Sequence, residues 1–361
     1  MLMDFTRDFP NNMLTNCQMT RLTALCVLVL WTLPTDAAIV QVNYSFDAAN
    51  GNFFGANPIA KATVNAAAQD ISNAISSSLG AITTDVYTGT NGGTSATFDW
   101  KMDITNPSTG TAATLNTFNT PVNLITVYAG VRSLTGTTLG VGGPGGGGFT
   151  LGGSGSPSQW VGAVAAAESA SNAAMPRGAG PVIGTLSGSS TLGGTTANYS
   201  LRYGTILGSL SLNSTATWHY DHTTAVGAGE NDYYSVALHE ILHAIGFGTS
   251  DTWNSERSGT TWTGSNVIAL QGTGANMVSA DGGHIADGAM STRISDGVAQ
   301  EAVMDPTLTV GTRKSLTQLD LAFLRDLNFT TVPEPSAVML ALCAGLMLVM
   351  ARRRNPDAAF A

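Results

Sequence analysis

The sequence predicts an α+β fold for the central part of the chain. Segments with the two-residue alternation of strands are interspersed with longer segments whose apolar residues recur at helical spacing. One strongly apolar helical segment carries the motif His-Glu-x-x-His at residues 239–243. The length of 361 residues fits two average domains or one large domain. With 42 glycines and only 11 % charged residues, the composition indicates a foldable, loop-rich chain.

Strand and helix patterns follow one another in the first part of this region. Residues 39–46 alternate as a strand, and the pair Asn57-Pro58 precedes a helical pattern over residues 59–76. Two further strands are predicted over residues 96–104 and 122–131 because they are rich in alternating apolar and β-branched residues. The order so far is therefore strand, helix, strand, strand.

A glycine-rich stretch comes next, over residues 140–155. It contains no Gly-Lys-Ser/Thr sequence, which argues against a phosphate-binding loop, and it is predicted to be a flexible surface loop. A helix is predicted over residues 157–174, and Pro176 to Gly180 interrupts the pattern. Short strands are then predicted over residues 182–186, 199–203, 207–212 and 216–220.

Charge and cysteine placement narrow the function classes. The net charge of −9 and a pI near 4.8 disfavour nucleic-acid binding, which uses basic surfaces. The cysteines are Cys17, Cys26 and Cys343, all near the ends of the chain. The region between them can hold neither a disulfide framework nor a cysteine-type zinc site. A metal in that region must therefore be bound by His, Asp or Glu.

The N-terminus predicts export. Arg21 precedes the apolar run 22–33, and small residues follow at Thr35 and at Ala37 or Ala38. This order is typical of a secretory signal peptide, here residues 1–38 with an alternative start at Met19.

The C-terminus carries a second targeting pattern. Pro333-Glu334-Pro335 is followed by an apolar run over residues 337–351 and then by Arg352-Arg353-Arg354. This order resembles the PEP-CTERM protein-sorting signal of Gram-negative bacteria. The resemblance implies a sorting tail over residues 331–361, recognition by an exosortase, and transient membrane contact through a hydrophobic helix. It places the protein at the cell surface or outside the cell. A plain membrane anchor is the alternative.

The central motif predicts a metal site. On a helix, His239 and His243 lie one turn apart on one face, where two imidazoles can bind one ion, and Glu240 lies beside them. Asp232 is a candidate N-cap for this helix, because an Asp side chain can accept a backbone N–H of the first turn. The alternative is a helix with a charged end and no metal.

A catalytic zinc requires three protein ligands, and the sequence around the helix resembles the metzincin metalloproteases. His239-Glu240-x-x-His243-x-x-Gly246 matches the first part of their signature, in which the glycine allows a sharp turn. Their usual third histidine would fall at Thr249. Families of leishmanolysin type supply that ligand from far downstream, and His284 is the candidate here.

Two later segments extend the resemblance. Met304, in Ala302-Val303-Met304-Asp305-Pro306, resembles the Met-turn beneath the metal ligands. Residues 315–327 resemble the C-terminal helix, with capping chemistry from Ser315 and Gln318 or from Thr317 and Asp320. The resemblance implies a zincin of two subdomains within residues 39–330. The upper one, to about residue 248, has a twisted mixed sheet with backing and active-site helices; the lower is loop-rich.

Alternatives exist for the remaining candidate residues. Asp251 is the nearest carboxylate that could replace His284 as third ligand. His219 and His222 could line a cleft, but a hydrogen-bonded role at a strand end fits them better. No tyrosine follows Tyr234, which excludes the metal-binding tyrosine that astacin-like and serralysin-like enzymes have near the Met-turn.

The resemblance implies an exported zinc endopeptidase. Zn²⁺ would be bound by His239, His243 and His284, and Glu240 would act as general base on a metal-activated water that cleaves peptide bonds in protein or peptide substrates. Gly246 and Met304 would support the site. The alternative is a catalytically silent, zinc-stabilised surface or biofilm-matrix protein, or an adhesin. A structural Ca²⁺ is compatible with the Asp- and Gly-rich turns, although no ligand loop is recognisable.

Overall fold

The computed structural model describes residues 37–332 of the chain. Its helices are α1 (Ser45–Ala49), α2 (Phe53–Ala56), α3 (Pro58–Ala74), α4 (Trp160–Ala174), α5 (Tyr233–Ala244), α6 (Asp251–Ser255), α7 (Ser265–Gln271) and α8 (Gln318–Asp326). Its first ten strands are β1 (Ile39–Asn43), β2 (Val86–Asn91), β3 (Thr94–Thr105), β4 (Ala112–Leu115), β5 (Leu124–Arg132), β6 (Gly140–Pro144), β7 (Gly146–Ser154), β8 (Val182–Leu192), β9 (Thr195–Gly204) and β10 (Leu207–Asn213).

Short two- and three-residue strands complete the structure. They are β11 (Trp218–His219), β12 (Asn231–Asp232), β13 (Arg257–Ser258), β14 (Thr261–Trp262), β15 (Met290–Thr292) and β16 (Ala299–Glu301). Several sheets together with helices confirm the predicted α+β class. The predicted hydrophobic tail helix and the first 36 residues of the predicted signal peptide lie outside the described residues.

One mixed sheet supports the helix that carries the His-Glu-x-x-His motif. Its strand order is β1-β5-β10-β6, with β1, β5 and β10 parallel and β6 antiparallel to β10 at one end. Apolar side chains of β5 and β10, including Ile125, Val127 and Leu210, are fully buried, as expected for parallel strands covered by helices. Helices α3 and α5 pack against each other and against this sheet.

A second antiparallel sheet is built around β3. Inward residues alternate along β3, from Ala96 through Trp100 to Ile104, and this pattern confirms the predicted strand. β3 pairs with β7 along one edge and with β2 and then β4 along the other. Helix α4 packs on this sheet and on the β8–β9 hairpin, which turns at Gly193-Gly194 with positive φ at both residues.

The prediction of a flexible loop over residues 140–155 is wrong. The glycine-rich stretch forms β6 and β7. The physical reason is close packing. A Cβ on Gly142 would lie 2.1 Å from the backbone oxygen of Glu240, and a Cβ on Gly153 would lie 2.4 Å from the Trp160 ring. Here glycine allows a helix to approach a strand and does not indicate backbone freedom.

Smaller differences concern element ends. The strand predicted over residues 39–46 stops at Asn43, because its side-chain oxygen accepts the Ser45 N–H at 2.9 Å and α1 begins there. The strand predicted over residues 216–220 shortens to β11. β8 and β9 are longer than predicted because their polar outer parts pair with each other. The helices predicted over residues 59–76 and 157–174 are confirmed as α3 and α4.

The buried apolar side chains form two clusters. The first contains α3, α5 and the mixed sheet together with downstream residues from Trp253 to Phe329. The second lies between the β3 sheet, the β8–β9 hairpin and α4. Helix α5 is therefore surrounded by core on several sides, which makes it a rigid scaffold for its side chains. The division of residues 39–330 near residue 248 stays a prediction.

Candidate metal centre

Helix α5 begins at a strongly capped end. The Asp232 side chain accepts the Ser235 backbone N–H at 3.0 Å, which confirms the predicted N-cap. Arg313 donates to both carboxylate oxygens of Asp232, each at 3.0 Å from Nε, and balances this buried charge. Every residue of the helix is buried apart from His239. His239 is therefore the one residue of this helix that is partly open to solvent.

Two glycines control the path of the chain after this helix. Gly246 has φ of +111°, a conformation open to glycine, and the chain turns there as predicted. Gly248, at φ +73°, was not predicted to matter, yet a Cβ there would lie 1.9 Å from the backbone oxygen of Gly283. The segment that carries His284 is thus in direct backbone contact with the turn that follows α5. The second glycine of the sequence Gly246-Phe247-Gly248 could have indicated a second turn or a close backbone approach at this point.

The three predicted ligand histidines come together. His243 Nε2 lies 3.1 Å from His239 Nε2 and 3.1 Å from His284 Nε2. Ligating nitrogens of all three lie within 4.8 Å of one another. In a tetrahedral zinc site, with bonds of about 2.0–2.1 Å, two ligand nitrogens are about 3.3 Å apart. The cluster therefore fits the size of one zinc ion.

The other ring nitrogens assign the tautomers. Nδ1 of His239 lies 2.9 Å from the Val303 carbonyl oxygen, and Nδ1 of His243 lies 2.9 Å from that of Phe247. Nδ1 of His284 lies 2.8 Å from Asp281 Oδ2. Because these oxygens accept, the network assigns a proton to each Nδ1 and a lone pair to each Nε2. Lone pairs at 3.1 Å repel one another unless a cation lies between them.

Burial keeps the imidazoles of His239 and His243 neutral. It lowers the pKa of His239 well below the usual value and that of His243 to about 4, with neighbouring histidines adding to the shift. Burial raises the pKa of Asp281, but the Gly283 N–H and the adjacent His284 outweigh it, so its carboxyl pKa lies below the usual value. Neutral imidazoles beside an ionised carboxylate are the protonation states that a metal site requires.

Glu240 lies in the same cleft as His239 and His284, a space of about 760 Å³. Its side chain is buried, and burial raises its pKa to about 8, while a hydrogen bond from the Gly142 N–H offsets part of the rise. A Cβ on Gly140 would lie 2.6 Å from Glu240 Cγ. The glycines of β6 therefore make the space that the Glu240 side chain occupies.

The segment with Met304 forms a buried turn beside the histidines. Val303 and Met304 donate their N–H groups to Asp320 at 3.1 Å each, and the Val303 carbonyl accepts from His239. Thr317 and Asp320 form the capping box of α8, so the second of the two predicted capping pairs is the observed one. Burial raises the pKa of Asp320, and bonds from Thr317, Val303 and Met304 offset part of that rise.

Lys314 is a buried cation that lines the cleft. Its Nζ lies 3.0 Å from Glu301 and 3.4 Å from Asp305, and it donates to the Thr307 carbonyl at 2.7 Å. Two carboxylates therefore neutralise it. Sequence reasoning missed this residue, because no motif links Lys314 to Glu301, Asp305 and Thr307.

The remaining candidates lie apart from the histidine cluster. His219 bonds Glu230 at 2.9 Å and Thr224 at 3.0 Å, and His222 bonds Thr63 at 3.0 Å. These contacts match the predicted hydrogen-bonded role. Asp251 lies exposed in the first turn of α6 and is not part of the cluster. The calcium site stays a prediction.

The C-terminal segment matches a known family. Residues 331–354 match the PEP-CTERM protein-sorting motif. Comparisons with curated proteins and with solved structures found no match to the chain. Among residues 37–332, no helix has the length and apolar character to cross a membrane; the predicted helix over 337–351 lies outside them. Because PEP-CTERM motifs are recognised by exosortases, this chain carries the C-terminal sorting signal of an exported protein.

Proposed function

We propose that the protein is an exported zinc-dependent endopeptidase. One observation carries the proposal: three Nε2 lone pairs converge beside a buried glutamate in an open cleft. The sorting signal supports a location on the surface of a Gram-negative bacterium, with the tail in transient contact with the membrane. A protein or peptide outside the cytoplasm is then the substrate.

The donor set favours zinc over the hard cations. Neutral imidazoles suit zinc and other transition metals, whereas Mg²⁺ and Ca²⁺ prefer oxygen ligands. His239, His243 and His284 would hold the ion through Nε2, beside the cleft that His239 and His284 line. Zinc in such a site acts as a Lewis acid that polarises a carbonyl and lowers the pKa of water.

Glu240 is the proposed general base. Its carboxylate accepts a proton from the attacking water and delivers it to the leaving amine. Burial raises the pKa of Glu240 to about 8, and a cation bound by the neighbouring histidines lowers it again, which favours the ionised base. The hydrogen bond from the Gly142 N–H orients the carboxylate.

The strand beside the cleft supports a peptide substrate. β6 is the last strand of the described mixed sheet, and Leu139 and Gly140 line the cleft. Bonds from Asn213 to Leu139 and from Gly145 to Leu207 set the antiparallel register, so Gly140 and Gly142 direct their backbone groups away from β10. An extended peptide can add to such an edge through main-chain hydrogen bonds.

A metzincin-like architecture is the finer part of the proposal. Its support is the turn at Gly246, the buried turn at Met304 under His239, and the capped helix α8 that fixes this turn through Asp320. The third ligand arrives after an insertion, as in enzymes of leishmanolysin type. We propose the same order of parts for this chain.

Glu240→Gln tests the mechanism. The amide keeps the shape of the side chain but cannot accept a proton, so casein hydrolysis should fall by about 10²–10⁴-fold while zinc content persists. Glu168→Gln is the matched control, because Glu168 lies on α4 and bonds the Ser200 N–H through an oxygen that the amide retains. Wild-type activity in Glu240→Gln would refute the assignment. Zinc binding by a wild-type protein without hydrolysis would favour the silent surface protein.

A further inference from the structure

The three imidazoles differ in what supports them. Two of them donate from Nδ1 to backbone carbonyls, those of Val303 and Phe247, whereas His284 donates to the side chain of Asp281. Asp281 uses both of its oxygens. Oδ2 lies 2.8 Å from His284 Nδ1, and Oδ1 accepts the Gly283 N–H at 2.8 Å. One carboxylate thus joins the ligand ring to the backbone of its own turn.

We infer that Asp281 is a positioning residue that fixes the tautomer and ring orientation of His284 for metal binding. The inference rests on the proposed zinc site. A carboxylate behind a ligating imidazole holds the proton on Nδ1, keeps the Nε2 lone pair toward the ion and increases its basicity. His239 and His243 are held in the same tautomer by backbone carbonyls, which a side-chain substitution does not remove. Only His284 depends on a side chain as its acceptor.

Exposure is one difference between His284 and His243. The side chain of His284 is 24 % exposed, whereas His243 is a buried residue. Water can compete for both nitrogens of a partly exposed imidazole and can exchange its tautomers. An ionised acceptor holds Nδ1–H more strongly than a neutral one does.

The turn itself has other anchors. Trp253 Nε1 donates to the Gly282 carbonyl at 2.8 Å. The Ser279 N–H donates to the His284 carbonyl at 3.0 Å, and the Ile285 N–H donates to the Met304 carbonyl at 2.9 Å. These contacts do not involve Asp281. The path of the backbone at residue 284 should therefore survive a change of that side chain, which makes the effect on the imidazole separable from folding.

Asp281→Asn is the discriminating variant. Its amide oxygen can keep the bond to the Gly283 N–H, but its NH₂ group then faces the N–H of His284. Two donors cannot bond, so the imidazole must rotate or transfer its proton to Nε2, where the metal lone pair is lost. Loss of such a supporting carboxylate should weaken zinc affinity by about 10–100-fold. Asp281→Ala removes both bonds and should weaken it at least as much.

Asp251→Asn is the matched control, since it neutralises an exposed carboxylate outside the cluster. It also tests the alternative ligand, and its zinc affinity should stay within threefold of the wild type. Affinity is measured on the metal-free full chain by competition with a chromophoric chelator. The visible spectrum of the Co²⁺ form provides a second readout, because it should change in Asp281→Asn and not in the control.

Three results would overturn the inference, and they are distinguishable. Wild-type zinc binding with unchanged affinity in Asp281→Asn removes Asp281 from the site but leaves the proposed function intact. Failure of the wild type to bind zinc removes the proposed function, and the inference with it. A thermal midpoint of the metal-free Asp281→Asn protein well below that of the wild type would assign Asp281 to folding of the turn.

Discussion

Gly248 offers the sharpest test of how His284, the proposed third ligand, is held in place. Its conformation is left-handed, at φ +73°, and its Cα hydrogens face the backbone of the His284 turn. Gly248→Ala therefore introduces two separate costs, backbone strain and a steric clash. Gly272→Ala isolates the first, since Gly272 has φ +74° and a Cβ there would meet nothing within 4 Å.

The expected size of each effect follows from these distances. A left-handed alanine costs about 1–2 kcal/mol at either position. At Gly248 the new Cβ would lie 1.9 Å from the Gly283 oxygen, and contacts under 3.0 Å do not occur, so the turn must move by at least 1.1 Å. The resulting overpacking adds about 1–3 kcal/mol of destabilisation. Displacing His284 by about 1 Å should reduce activity by about 100-fold.

Two measurements on the same proteins separate the costs. In urea unfolding of the metal-free proteins, the free energy of unfolding of Gly248→Ala should be lower than that of Gly272→Ala. The difference should equal the destabilisation from overpacking, because both variants have the same backbone strain. Casein hydrolysis and zinc affinity should fall in Gly248→Ala and remain near the wild-type values in Gly272→Ala. Equal activity in the two variants would refute the claim that backbone contact at Gly248 determines the position of His284.

Two further predictions concern the metal and the cap of α5. Extraction of zinc with phenanthroline should lower the thermal midpoint of unfolding, and added zinc should restore it. The reason is that free zinc at a thousandfold excess over its Kd stabilises the folded state by about 4 kcal/mol. A midpoint that does not change with zinc would contradict binding by the folded protein. Arg313→Met should cost about 3–5 kcal/mol in urea unfolding, because it leaves the fully buried Asp232 carboxylate without its cation. The same change at Arg293, whose partner Asp296 is exposed, should cost less than about 1 kcal/mol, and similar losses would argue against this role for Arg313.

Local chemistry made the helices of the site predictable from sequence. The N-cap of α5 depends on Asp232 and Ser235, three residues apart, and the capping box of α8 depends on Thr317 and Asp320 at the same spacing. Such contacts are encoded within one helical turn. The sequence could not decide between Ser315 and Thr317 as the cap of α8. Thr317 is fully buried at the observed start of the helix, and burial depends on the tertiary structure.

The prediction of a flexible loop over residues 140–155 was wrong for a physical reason. A glycine that gives freedom to a loop and a glycine that admits a neighbouring helix are the same letter in the sequence. At Gly142 and Gly208 the neighbour is α5, whose backbone lies where a side chain would otherwise project. Only the pairing of β6 with β10, set by residues more than sixty positions away, distinguishes these two uses.

The resemblance to enzymes of leishmanolysin type implied His284 as the third ligand, with Asp251 as the alternative, but the position of His284 could not be derived from the sequence. Thr249 stands where the usual third histidine of that resemblance would fall. What brings it to the site is a contact between two glycine backbones, at residues 248 and 283, which has no side-chain signature. In the proposed centre, histidines therefore supply the ligands, and close backbone contacts at glycines determine where those ligands lie. Substitutions at these glycines should impair metal binding although every candidate ligand is retained in the sequence.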